Sequence, residues 1–140
     1  MVIDPSAILA IIYAEPEGET FLNLIDESGN CFLSSPSYVE TSIVLGTRHG
    51  EQGVEKLNLL LNQLSIVIVP FSLEQARLAT EAFLRFGKGR HPAKLNMGDC
   101  FSYALAKAMS QPLLFKGNDF IQTDIDKVQP STDKPNSNQK

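Results

Sequence analysis

The sequence predicts an α/β fold, a mainly parallel sheet of four to five short strands covered by helices on both faces. Three features of the 140 residues predict it. Short apolar runs alternate with longer segments whose apolar residues recur at helical spacing. The strand-like runs are rich in β-branched and other apolar residues, as strands covered on both faces are. Capping residues, glycine and proline mark the junctions.

Val2 to Asp4 is the first strand, and Ser6 to about Ala14 an apolar helix closed by Pro16. From Glu17 to about Glu27, Phe21, Leu22 and Ile25 recur at helical spacing and predict a second helix. Gly29-Asn30 turns the chain into a strand at Cys31-Phe32-Leu33. Ser35-Pro36 reads as a cap followed by proline at the first helical position, starting a helix that ends near Gly50. Leu57, Leu60, Leu61 and Leu64 form the stripe of a fourth helix, and Ser65 to Pro70 is a β-branched strand stopped by proline. Ser72 with Gln75 has the spacing of a capping box for a helix to about Phe86. After a loop from Gly87 to Leu95, Asn96 caps a helix from Met97 to Met109. Pro112 to Phe115 is a fourth strand, and Ile125 to Val128 offers a short fifth. The ordered domain is expected to span 1–128, with the polar, Pro/Asn/Ser-rich residues 129–140 as a disordered tail.

Apolar residues make up 43% and charged residues 20% of the chain, the balance of a soluble globular domain. No apolar run is long enough to span a bilayer, and no basic-then-apolar leader opens the chain, so a cytoplasmic protein is expected. Cys31 and Cys100 form neither a CxxC nor a Cys/His cluster and read as reduced core thiols. A net charge of −4 argues against a protein that simply coats nucleic acid.

In open parallel sheets, ligands bind beyond the carboxyl ends of the strands. Asp4 ends the first strand and Asp119 lies just past the fourth, while Glu40 and Asp99 sit on helices. Each has an ordinary alternative. Asp4 could be only a helix N-cap, Glu40 a solvated helix residue, Asp99 the third residue of a capped helix, and Asp119 a turn residue. Together they form a set of oxygen donors without histidine or cysteine, which suits Mg²⁺ or Mn²⁺. Carboxylates gathered at one point repel, and a divalent cation relieves that repulsion.

VIDPSA, PSYVETSIVL, LNMGDCFSYALAKA and PLLFKGNDFIQTDI follow one another in an order and at separations that resemble the PIN-domain ribonucleases, specifically the VapC-type toxins of prokaryotic toxin–antitoxin pairs. The resemblance covers roughly residues 1–126. It implies a PIN-like three-layer α/β/α domain whose acidic pocket binds Mg²⁺ or Mn²⁺ and hydrolyses RNA by metal-activated water, leaving a 5′-phosphate and a 3′-hydroxyl. Asp4 and Asp99 fall on its principal metal ligands, and Glu40 and Asp119 complete the set. Where the family carries two hydroxyl residues after the first aspartate, this chain has Pro5-Ser6, leaving Ser6 to supply that contact. Asn96, Lys116, Thr123 and Asp124 are further candidates around the site. The resemblance also implies a homodimer, for which the leucine-rich helix is the expected surface. It implies a cognate antitoxin that inserts a basic or bulky side chain into the acidic pocket.

Arg85, Lys88, Arg90 and Lys94 stand in RFGKGRHPAK with no acid among them, immediately before the Asp99 helix, and are candidates for RNA phosphate contacts. A receiver domain would need an aspartate at the end of the third strand, where the chain has Val69-Pro70. A dehalogenase-type phosphatase would need one two residues after Asp4, where it has Ser6. The competing reading is a non-catalytic RNA-binding or interaction module on the same fold.

Overall fold

The computed structural model describes residues 1–128. Four parallel strands, β1 (Val2–Ile3), β2 (Cys31–Ser34), β3 (Ile66–Val69) and β4 (Leu113–Leu114), form one sheet in the order β3-β2-β1-β4. Six helices connect them: α1 (Pro5–Ile12), α2 (Gly18–Ser28), α3 (Ser35–His49), α4 (Glu51–Gln63), α5 (Leu73–Phe86) and α6 (Met97–Met109). The chain steps from β1 out to β2 and β3, then crosses back to place β4 on the other side of β1. That reversal opens a crevice at the carboxyl ends of β1 and β4.

Alternation along the strands splits the core. Ile3 and Leu114 pack with Ala7, Ile8, Ile25, Leu45, Leu57 and their neighbours from α1 to α4. Val2 and Leu113 face the opposite way, into Ala82, Phe86, Leu105 and Phe120. Val2, Ile3, Ile8, Leu57 and Leu105 are fully buried, and each such side chain stabilises the fold by about 1.5–3 kcal/mol relative to exposure. Cys31 and Cys100 are buried and free.

Several junctions differ from expectation. The third helix starts at Ser35 with Ser34 as N-cap residue, and Ser34 makes no side-chain cap bond. The box at α5 is half formed. Ser72 Oγ accepts from the Gln75 N–H at 3.1 Å, but Gln75 Nε2 donates to the Pro70 carbonyl, also at 3.1 Å. At α6 the box is complete, with Asn96 and Asp99 each accepting the other's backbone N–H. The expected fifth strand is a single parallel bridge, Leu113 to Lys127.

The leucines of the fourth helix divide between core and surface. Leu57 and Leu61 are spent on the core and Leu60 and Leu64 pack partly against it, leaving Leu59 exposed. Other exposed apolar side chains include Val39 and Ile43 on α3, Val67 on β3, Leu73 and Leu84 on α5, and Met97 at the start of α6. The expected tail at 129–140 lies outside the described residues, and among the described residues no helix is long and apolar enough to cross a membrane.

Candidate functional site

Asp4 is the N-cap of α1 and also a buried carboxylate at the crevice. Its Oδ2 accepts from the Ser6 N–H at 3.0 Å and the Ser6 hydroxyl at 2.6 Å. Its Oδ1 accepts from the Ser102 hydroxyl at 2.5 Å. Ser6 Oγ in turn accepts the Lys116 N–H at 3.0 Å, tying the β4 exit to the β1 exit. Ser6 therefore supplies a hydroxyl contact to Asp4 despite Pro5.

Asp99 lies in the first turn of α6, held by its cap exchange with Asn96. Burial pushes its carboxyl up to about 7 against the Asn96 N–H, and repulsion from Asp4, Asp119 and Glu40 adds to the rise. Glu40 projects from α3 toward α6, and its carboxyl is raised by partial burial and by Asp4. Its carboxylate lies over Gly98, where a β-carbon would stand only 2.4 Å from Oε1 and 2.9 Å from Cδ. Asp4 is also raised, first by burial and then by Asp119, while the Ser102 and Ser6 bonds pull the other way. Asp119 is exposed beyond β4 and acts on both Asp4 and Asp99.

Asp4, Ser6, Glu40 and Asp99 line a cleft of about 180 Å³, with Thr41 and Val44 behind them. The donor set is all oxygen, which fits a hard divalent cation, and Gly98 leaves room that any side chain would fill. Among the described residues no three acidic, histidine or cysteine side chains already close on one point. Glu40 and Asp119 are solvent-accessible. A larger groove of about 360 Å³ between α5 and α6 is walled by apolar residues such as Phe71, Phe83, Met97 and Phe101 and lacks the carboxylates.

The remaining candidates separate. The Lys116 ammonium pairs with Glu15 and, at 3.5 Å, with Glu17, at the α1–α2 turn, so its side chain is committed away from Asp119. Asp124 accepts from Tyr103 at 2.6 Å and pairs with Lys107 at 3.0 Å and Arg85 at 3.4 Å, which hold its carboxyl below the usual range. Thr123 closes a turn by donating to the Phe120 carbonyl. Asp124 thus pins the chain after β4 to α5 and α6. Arg85 is shared between Asp124 and the Phe86 ring, 4.7 Å away. Lys88, Arg90 and Lys94 are exposed, with no side-chain bond among the described residues, on a loop whose neck is closed by Gly87 and Leu95.

Sequence reasoning missed Ser102, Ser37 and Gly98. Ser102 had a signal, since it lies one helical turn after Asp99 and therefore on the same face. Ser37 stands in the same relation before Glu40, but which helix faces meet is settled only by the tertiary fold.

Comparison with known proteins agrees with this geometry. Residues 1–126 match the PIN domain family. The chain is 48% identical over 125 residues to a Ribonuclease VapC of Mycolicibacterium smegmatis, covering 89% of this chain and 97% of that one. Its fold is shared with Mycobacterium tuberculosis VapC20, described as a Sarcin-Ricin loop cleaving toxin, at a TM-score of 0.70 and 16% identity over 92% of this chain and 98% of that one. It is also shared with a chain of a toxin-antitoxin complex from Klebsiella pneumoniae, at a TM-score of 0.68 and 17% identity over 92% and 96% of the two chains.

Proposed function

The chain belongs to the PIN-domain family, and on that premise we propose that it is a metal-dependent endoribonuclease, the toxin of a type II toxin–antitoxin pair. One observation carries the reading. Four carboxylates from separate stretches of chain, Asp4, Glu40, Asp99 and Asp119, meet electrostatically at the strand ends, and three of them are raised by burial and by one another. Such a cluster is costly unless a cation answers it.

Asp4 and Asp99 would be the principal ligands of Mg²⁺ or Mn²⁺, with Glu40 and Asp119 completing the set. An ion held there would supply activation of a water and neutralisation of charge at the phosphoryl group. The chain's own residues set the geometry. Ser6 and Ser102 hold both oxygens of Asp4, Asn96 fixes Asp99 through the cap, and Gly98 makes room for Glu40. Lys88, Arg90 and Lys94, without an ion pair among the described residues, offer cations that offset the acidic field for an incoming RNA backbone. With water and not the ribose 2′-hydroxyl as nucleophile no 2′,3′-cyclic phosphate forms, and expulsion of the 3′-oxygen, as the family resemblance implies, leaves a 5′-phosphate and a 3′-hydroxyl.

The relative named as a ribonuclease supports RNA as substrate, and the structural neighbour in a toxin-antitoxin complex supports a cognate antitoxin as partner. A homodimer in the cytoplasm completes the proposal. The exposed apolar residues on α3 and around α5 supply surface for self-association. Cleavage of a fluorogenic RNA with added Mn²⁺, abolished by chelator and by Asp99→Asn, tests the reading. Equal cleavage by wild type and Asp99→Asn, or RNA binding without cleavage at any metal concentration, would favour the non-catalytic module instead.

A further inference from the structure

Glu40 and Asp99, the two acids of the cleft carried by helices, each have a serine one turn away on the same face. Ser37 lies three residues before Glu40 on α3, and Ser102 three residues after Asp99 on α6. Both serines are fully buried. Their hydroxyl oxygens are 3.4 Å apart, and Ser102 Oγ is 2.5 Å from Asp4 Oδ1. The direction of the chain follows from proton count. A serine hydroxyl has one proton, and that of Ser102 goes to a carboxylate, so Ser37 is the donor to Ser102.

We propose that Ser37 and Ser102 are positioning residues, a directed hydroxyl chain that fixes the Asp4 carboxylate and locks β1, α3 and α6 into the register the cation site needs. This rests on the metal-dependent reading given above. A hydroxyl buried within a helix ordinarily bonds back to the carbonyl one turn earlier, as Thr41 does to Ser37 at 2.8 Å. Ser37 and Ser102 instead reach side chain to side chain across elements far apart in sequence. With Oδ2 held by both the N–H and the hydroxyl of Ser6 and Oδ1 by Ser102, the Asp4 carboxylate cannot swing, and Oδ1, which accepts a single bond, keeps a lone pair for a cation. Ser37 ties that fixed carboxylate to the helix that presents Glu40, and Ser102 ties it to the helix that presents Asp99.

The test is Mn²⁺ affinity, read from the electron paramagnetic resonance of free Mn²⁺, for Ser102→Ala, Ser37→Ala and the double variant, with metal-free melting as the check on folding. Loss of a partner that orients a ligand weakens metal binding by about 10-fold or more, the result expected for Ser102→Ala. Ser37→Ala, one bond further away, should weaken it less, and the double variant should match Ser102→Ala alone because the chain is already broken. Ser102→Ala binding Mn²⁺ as tightly as wild type, or two effects that simply multiply, would overturn the proposal. If Ser102→Ala does not fold, Ser37→Ala decides, and unchanged affinity there overturns it. Asp4→Asn losing Mn²⁺ while both serine variants keep it sinks the positioning role alone. A wild type that neither binds Mn²⁺ nor cleaves RNA removes the functional reading and this proposal together.

Discussion

Glu40 lies where Gly98 has no side chain: a β-carbon on Gly98 would come within 2.4 Å of Glu40 Oε1. The obstructed atom is the end of a flexible side chain, so the helix can keep its place while the carboxylate is expelled. Alanine also favours a helix over glycine by up to about 1 kcal/mol. Gly98→Ala should therefore leave the melting temperature level or raise it while RNA cleavage falls ~10–100-fold. Thermal melting and initial cleavage rates on one preparation check this pair of outcomes. Full activity would show that Glu40 is not needed where it stands.

Asp99 makes stability depend on pH in the metal-free protein. Its carboxyl is raised from 3.8 to about 7 on folding. Between those values the folded chain holds a proton that the unfolded chain has lost, so stability falls as pH rises from about 4 to 7. Asp4 and Glu40 are raised too and add to this slope, whereas Asp124 is lowered and opposes it at the acid end. Subtraction isolates Asp99: the wild-type melting temperature should fall more steeply across this window than that of Asp99→Asn. Identical slopes would mean that Asp99 is not raised.

The fold was legible in the sequence where local signals agreed with burial. Asn96 and Asp99 carry both halves of a capping box, and α6 runs between the expected bounds. The apolar strands, too short for helices, pair in parallel, and Asp4 and Asp119 follow β1 and β4. Gln75 looked like the second half of a box, but the Pro70 carbonyl competes for its side chain. Leucine spacing predicted α4 correctly without revealing that the core takes Leu57 and Leu61. The buried serines and Gly98 were invisible for a related reason: their roles depend on α3 meeting α6, a contact between segments roughly sixty residues apart.

Asp124 is expected to be structural. Its carboxylate joins Tyr103, Lys107 and Arg85 and lies outside the acidic cleft. Asp124→Ala should cost about 1 kcal/mol of stability, discounted for its partial exposure. The Mn²⁺-induced rise in melting temperature should be unchanged. Denaturant unfolding with and without Mn²⁺ measures both. A lost metal response would bring Asp124 into the site.

Lys88, Arg90 and Lys94 are expected to contact phosphates without affecting the metal. Replacing all three by glutamine should weaken RNA binding and reduce the dependence of log affinity on log salt by up to about 0.7 per contact for a single strand. Fluorescence anisotropy across a salt series, with Ca²⁺ in place of Mn²⁺, gives the slope. An unchanged slope would return this loop to a solvated surface.

Asp4→Asn, measured two ways, tests the account most directly. As a helix cap, asparagine replaces aspartate at little cost. Its oxygen can accept from Ser6, and its amide can donate to Ser102, whose hydroxyl then turns toward Ser37. The metal-free melting temperature should thus stay level or rise. Mn²⁺ should raise the melting temperature of the wild type, as binding to the native state requires, and that rise should shrink strongly in the variant. RNA cleavage should fall at least ~100-fold. An Asp4→Asn protein with the wild-type Mn²⁺ response and wild-type cleavage would leave Asp4 a helix cap and contradict the metal-dependent site.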